Sequence, residues 1–350
     1  MDFKIEELSV WDKLQSTSEP IIMYGTGNGA DKVLDALERL NVKISGVTAS
    51  SGFVRERFFR GFRVMPLSHF EEEYESFTVI IAFGSSVPEV MENIYSIAKK
   101  HRTLIPVVPV IGTELFDRAF LNVNSEKINS AYGLMADELS KKIYSGYVNF
   151  LYGGEPEVLK SITSREDDAF ENILKLNGNE TYVDIGAYRG DTVEKFLSYT
   201  NNSYVKIICA EPDTKSYSKL LLNCSHLKNF EAHNVAVADI DGEIGFSDLH
   251  GRQSAIGGNR LTNCMTLTTL CKNSTPTYIK IDAEGYEAEI LSAGKDILKK
   301  NSPKLNVAAY HKCSDIFTIP LLLNSVNPQY KLHLRHHPYI PAWDTNFYVT

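Results

Sequence analysis

The residues most able to do chemistry stand at four places in the second half of the chain. The string YVDIGAYRGDT, residues 182–192, sends an apolar run into an acid and two glycines. Gly186 and Gly190 permit a tight turn and a close backbone approach to a ligand. A helix opening behind them presents free N–H groups. Asp184 falls at the carboxyl end of the expected strand, where open α/β sheets bind their ligands. About one βα unit later CAEPD places Glu211 at a second strand end, positioned to accept hydrogen bonds from ribose hydroxyls. Each motif alone fits a packing turn; the two at this spacing are much more specific.

The first position of this D-x-G-x-x-x-G pattern is acidic, unlike the G-x-G-x-x-G of dinucleotide sites. A carboxylate there repels a diphosphate and favours an ammonium or sulfonium. The pattern therefore points to S-adenosylmethionine over NAD. Tyr188 and Asp191, in the same turn, join the candidate cofactor set. So does Asp239, placed for an adenine amino group or, equally well, for a turn before Asp241 and Gly242.

The third place is YIKIDAEGYEAEIL, residues 278–291, where Lys280, Asp282 and Glu284 crowd a strand end. The fourth is VAAYHKCSDIFTIP, residues 307–320. His311 there is the candidate general base, since an imidazole titrates near neutrality. Asp315, four residues on, is the candidate to orient it. Asp282 and Glu284 either line the reaction site or, with His311, hold a divalent cation such as Mg²⁺. Lys280, Arg335 and His336, with His337, are candidate contacts to an anionic part of a substrate; polar groups at exposed strand ends are the plainer reading.

Elements must position these groups. In the first half, apolar Ile21–Tyr24 leads into GTGNGA and then a helical pattern over Asp31–Leu40. Val42–Val47 and Thr78–Phe83 read as strands, Glu89–Lys100 as a helix, and the series as βαβ. The G-x-G-x-x-A turn makes Gly25, Gly27 and Asn28 a candidate nucleotide site. The next strand ends in VTASS without the acid that an NAD ribose requires, which disfavours a redox role. Arg55, Arg57, Arg60 and Arg63 form a basic stretch, read as a solvated loop or an anion site.

Residues 124–150 repeat apolar positions at helical spacing and end at GGEP. Beyond them seven candidate strands follow: Tyr182–Ile185, Val205–Ala210, Glu231–Val237, Tyr278–Ile281, Leu305–Tyr310, Tyr330–Leu334 and Phe347–Val349. The expected organisation is two Rossmann-like α/β domains: residues 1–112 for nucleotide or sugar binding or dimerisation, a helical connector at 113–165, and residues 166–350. The last should be a mostly parallel seven-stranded sheet with an antiparallel edge.

Bulk properties limit the alternatives. The 350 residues are 43% hydrophobic and 23% charged, an ordinary globular balance that fits two domains. The net charge of −8 has no basic face to suggest nucleic acid. No apolar run is long enough to span a bilayer, and the first residues lack a signal-like stretch. Five cysteines, all in the second half and with no CxxC pair, indicate reduced thiols. A cytoplasmic protein is expected.

Residues about 124–350 resemble the FkbM family of S-adenosylmethionine-dependent methyltransferases. The strings that carry the resemblance are VDIGAYRGDT, AEPD, NVAVAD with GEIGF, IKIDAEGYEAEIL, and AYHKCSDIFTIP with YKLHLRHH. ADELSKKIY, residues 136–144, resembles the segment preceding the core in longer members. The resemblance implies a class I methyltransferase fold and O-methylation of a carbohydrate hydroxyl, on a polysaccharide, glycolipid or nucleotide- or lipid-linked acceptor. Where longer members carry an aromatic-rich stretch, this chain has SREDDAFENIL. The rival readings are an NAD-dependent oxidoreductase built on GTGNGA and a non-catalytic nucleotide- or glycan-binding scaffold.

Overall fold

A computed structural model describes residues 1–50, 57–247, 255–256 and 260–350. Arg55 and Ser51 lie outside these residues. The first unit is a six-stranded sheet. Its central strand Ile21–Tyr24 lies between Gly46–Thr48 and Thr78–Ile81, both parallel to it. Outside these run Phe62–Met65 and Arg102–Leu104, also parallel, with Phe58–Phe59 antiparallel at the edge. The helix Asn28–Arg39 buries Val33, Leu34 and Leu37 on one face, as the sequence spacing requires. Of the expected Val42–Val47 run only Gly46 and Val47 pair as strand, continued by Thr48.

The second unit is a seven-stranded sheet. Its strands are Thr181–Ile185, Lys206–Ala210, Phe230–His233, Tyr278–Ile281, Lys304–Ala308, Leu332–His336 and Thr345–Val349. Counted in chain order, their lateral order is 3-2-1-4-5-7-6, and the seventh is antiparallel to both its neighbours. This is the class I methyltransferase-like fold. The order reverses beside the first strand, which has the second on one side and the fourth on the other. A crevice therefore opens at the carboxyl ends of these strands, the position at which such sheets take ligands.

Two features differ from the expected pattern. Glu231–Val237 is not one strand: Phe230–His233 joins the large sheet, while Ala236–Ala238 pairs with Arg260–Thr266 in a separate four-stranded sheet. The sequence over Tyr286–Lys299 carries one continuous helical pattern, yet it folds as two helices, Glu287–Ala293 and Lys295–Asn301, divided at Gly294.

The helices Arg118–Gly133 and Glu138–Gly153 lie between the units. Asp117 and Asp137 cap their first turns, accepting from Phe120 N (2.8 Å) and Ser140 N (2.6 Å). The second helix shields the outer strand of the large sheet. Ala136 N donates to Leu332 O (2.9 Å), and Leu334 N to Ser140 Oγ (3.1 Å). These bonds satisfy polar groups that an open sheet edge leaves bare. One apolar core runs from Ile22 and Val79 through Ile143 and Phe150 to Ile279 and Leu334.

Candidate active site

The turn after the first strand of the large sheet is built around Gly186. Its φ is +76°, and a Cβ there would lie 1.9 Å from the carbonyl oxygen of Asp282. Only glycine brings the two strand ends this close. Asp184 is fully buried. Its Oδ2 accepts from the Thr192 hydroxyl, while Oδ1 has no hydrogen bond. Lys280 Nζ stands 3.5 Å from that second oxygen and donates to Gly186 O at 2.9 Å. Burial holds the Asp184 carboxyl above its ordinary value against the pull of Lys280. Lys280 itself stays charged, because Asp184 and Asp282 outweigh the effect of its burial.

Glu211 ends the second strand, also buried. Its Oε2 accepts from Tyr188 N (2.8 Å) and its Oε1 from Asp213 N (2.9 Å). Burial pushes it up to about 7 despite these bonds. The carboxylate thus ties the glycine turn to the second strand and keeps further lone pairs for a ligand. Asp191 opens the following helix, exposed. Asp239 is exposed beyond the strand Ala236–Ala238, with the Tyr286 side chain against it. A close glycine turn, an orphaned buried carboxylate oxygen and a second acid one strand over suit the methionine and ribose parts of S-adenosylmethionine.

Across the crevice lies a second group of acids around His311. The imidazole is 1% exposed. Its Nδ1 stands 3.0 Å from Glu287 Oε1, and its Nε2 is 3.5 Å from both Asp282 Oδ1 and Glu284 Oε2. Tyr310 donates its hydroxyl to Asp282 Oδ1 at 3.2 Å. Burial alone would lower the His311 pKa, but Glu287, with Asp282 and Glu284, overrides it and raises it to about 10. The surrounding acids thus favour the protonated form of the ring. This setting favours His311 as a charged group over the resting base near neutrality that its residue type suggests.

Glu284 differs. It sits at φ +49° at the crevice rim, its side chain 25% exposed. Burial pushes it up to about 7 although His311 pulls the other way. Asp315 does not hold the imidazole as expected. It is buried, accepts from Lys312 N (2.7 Å), and is raised to about 7 by burial and then by the charge of Glu287. The partner of the ring is Glu287, which sequence reasoning missed. It lies in the EAEIL run as an ordinary first-turn helix acid, and nothing in its spacing betrays its burial.

Asp282, Glu287 and His311 each bring one ligand atom within 4.8 Å of the others. The set does not suit Mg²⁺. Glu287 Oε1 already accepts from Ala283 N (2.7 Å) and Gly285 N (3.3 Å), and Mg²⁺ takes oxygen ligands and water rather than an imidazole.

Arg335 and His336 are corrected as substrate contacts. Arg335 is buried against the connector, where it donates to Asp168 Oδ2 (2.9 Å), Asp137 Oδ2 (3.1 Å) and Ser140 Oγ (2.8 Å). His336 is buried at Thr345 Oγ1 (3.0 Å), and burial drives its pKa down to about 3. His337 is held by the Tyr348 hydroxyl at 2.7 Å. Lys280 faces the cofactor side of the crevice. In the first unit, Gly25 (φ +137°) and Gly27 form the turn that leads into the helix beginning at Asn28. The turn packs on the backbone of Ala82. Among the described residues, no helix is long and apolar enough to cross a membrane.

Residues 184–329 match the family model of the methyltransferase FkbM domain. The methyltransferase FkbM from Methylobacillus flagellatus has a similar structure, with a TM-score of 0.73 at 17% identity over 95% of this chain and 90% of that one. The likeness includes the first unit, so the two-unit fold is shared. A precorrin-6y C5,15-methyltransferase from Geobacter metallireducens overlaps 56% of this chain and 87% of its own, with a TM-score of 0.34 at 12% identity. No curated protein sequence matches.

Proposed function

Residues 184–329 match the model of the methyltransferase FkbM domain, and we propose that the chain transfers the methyl group of S-adenosylmethionine to a carbohydrate hydroxyl. The observation that carries the reading is the opposition of two sites across one crevice. Asp184, Gly186 and Glu211 stand at the ends of the first two strands; Asp282, Glu284 and His311 stand at the ends of the fourth and fifth. When bound, the cofactor supplies an electrophilic methyl carbon on a sulfonium, so the protein has only to place the acceptor and take its proton.

Glu211 and the Gly186 turn orient the cofactor, with Tyr188 and Asp191 beside them. Glu284 is the general base. Its carboxylate reaches the crevice and titrates near neutrality, the range in which a base works best. It would take the proton of the acceptor hydroxyl, the bound cofactor supplying the methyl group that the oxygen receives. His311 is a positioning residue. Its buried imidazolium, fixed by Glu287, holds Asp282 and Glu284 side by side. Asp282 then accepts a hydrogen bond from a neighbouring acceptor hydroxyl.

A carbohydrate acceptor is supported by the loop after the sixth strand. Tyr339 and Trp343, both half-buried, stand 5.6 Å apart there, and aromatic faces with polar tips are suited to sugar rings. The test is incubation with ¹³C-methyl-labelled S-adenosylmethionine and a panel of neutral, phosphorylated and uronic oligosaccharides. Two-dimensional NMR should show a new O-methyl resonance on at least one. Labelled methyl on nitrogen or carbon of some other acceptor would refute O-methylation while leaving the methyltransferase assignment intact.

A further inference from the structure

The first unit does not stand apart from the reaction site. Ile111 N donates to His311 O at 3.2 Å. The Ile111 side chain packs so closely on Gly285 that a Cβ there would come within 2.9 Å of it. Cys313 Sγ donates to Glu114 O at 3.2 Å. Ser85 and Ile340 exchange backbone hydrogen bonds at 2.9 and 3.0 Å, and Gly84 lies against the Trp343 ring. These contacts fall on the loops carrying Glu284, His311 and Trp343. The first unit is thus a wall of the acceptor side of the crevice.

Lys32 stands on that wall, in the helix that follows GTGNG. Its Nζ donates to Val110 O at 2.7 Å, one residue before the peptide that binds His311. It is half-buried, and the charge of Glu284 acts on it. Other cations near the site are committed to acids. Lys280 lies between Asp184 and Asp282, Lys312 pairs with Glu289 at 3.0 Å, and Arg335 serves Asp137 and Asp168. Among the described residues, the hydrogen-bond partner of Lys32 is a neutral carbonyl, so its ammonium retains donors for a ligand.

We propose that Lys32 is a specificity-determining residue of the acceptor site and binds an anionic oxygen group, phosphate or carboxylate, on the carbohydrate. The proposal rests on the methyltransferase reading. Asp282 and Glu284 repel an anion while Lys32 attracts it. The acceptor is therefore oriented with its charged end against the first unit and a neutral hydroxyl against Glu284. Anion recognition, expected at Arg335 and His336, moves to the other wall of the crevice.

The test uses full-length protein saturated with S-adenosylhomocysteine, as wild type, Lys32→Gln and Lys32→Arg. Inorganic phosphate is titrated by ³¹P line width and acetate by saturation-transfer NMR; the anion that saturates identifies the source. Wild type should bind at least one saturably. Lys32→Gln should weaken this by about tenfold or more, whereas Lys32→Arg keeps it, since either cation forms the charge-assisted bond. All three should retain S-adenosylhomocysteine affinity and thermal midpoint. No saturable anion binding to the loaded wild type, or unchanged binding in Lys32→Gln, overturns the proposal. Failure of S-adenosylhomocysteine to bind overturns the methyltransferase reading beneath it.

Discussion

Glu287 and His311 form an ion pair with Oε1 and Nδ1 3.0 Å apart, both side chains closed off from solvent. Glu287 Oε1 also accepts from Ala283 N and Gly285 N while its other oxygen has no hydrogen bond, so the amides supply the hydrogen bonds and the imidazolium the opposite charge. Removing one member leaves the other charged and buried. Glu287→Ala should lose about 3–5 kcal/mol of stability by denaturant unfolding, the usual cost of breaking a buried pair. A loss below about 1 kcal/mol would show that the pair is neutral in the folded protein.

The shifted groups set a direction for stability against pH. His311 is raised from 6.5 to about 10, so the fold binds its proton more tightly than the unfolded chain. That stability is fully present below about 6.5 and lost as pH rises through 10. Glu211, Glu284 and Asp315, each raised to about 7, act in the same sense from about 4–4.5 to 7. Asp137 works the other way. Its Ser140 and Arg335 hydrogen bonds outweigh burial and hold it low, so its contribution disappears only in strong acid. His336, held down to about 3 by burial, opposes this trend below about 6.5, so the thermal midpoint should fall most clearly from pH 7 to pH 10. A midpoint that rises across this range contradicts the charged cluster.

Glu284→Gln removes the base while keeping its shape. The expected result is a loss of about 10²–10⁴ in kcat with S-adenosylmethionine affinity preserved, the range that general-base catalysis supplies. The wild-type rate should climb with pH through about 7, as Glu284 loses its proton. In Glu284→Gln that limb should vanish. If instead the limb lies near 10, neutral His311 is the base.

Arg335 tests the correction made at the connector. Arg335→Met strands Asp137 and Asp168 beside a buried strand. Stability should fall by about 1 kcal/mol or more, since hydrogen bonds to charged groups are lost while water reaches the two partly exposed acids left behind. Turnover per folded molecule, measured well below the new midpoint, should be unchanged for neutral and anionic acceptors alike. A selective rise in KM for anionic acceptors would restore Arg335 to the substrate site.

The crevice was legible in the sequence because its determinants are local. A strand end, a glycine turn and a helix start are consecutive in YVDIGAYRGDT. The acid of AEPD follows one unit later, and the strands of the large sheet fall close to where the alternation puts them. What escaped depended on contacts between distant segments. Glu287 and Glu289 are two residues apart in one helix, yet only the first is buried under His311. Arg335 and His336 look like free strand-end cations until the connector 200 residues upstream covers that edge. His311 has the residue type of a neutral base, and three acids from a neighbouring strand end change its charge. The small sheet was missed because Ala236–Ala238 pairs with a strand beginning at Arg260, over a separation that periodicity does not register.

The central claim is that the crevice at Asp184, Gly186 and Glu211 binds S-adenosylmethionine. Isothermal titration of the full chain with S-adenosylmethionine, and separately with NADH, tests it directly. The account predicts one saturable site per chain for S-adenosylmethionine and none for NADH. In Gly186→Ala, where the added Cβ meets the Asp282 carbonyl, that binding should fall by about tenfold or more, as a strained turn costs about 1–3 kcal/mol. Saturable binding of NADH with no heat from S-adenosylmethionine would contradict it.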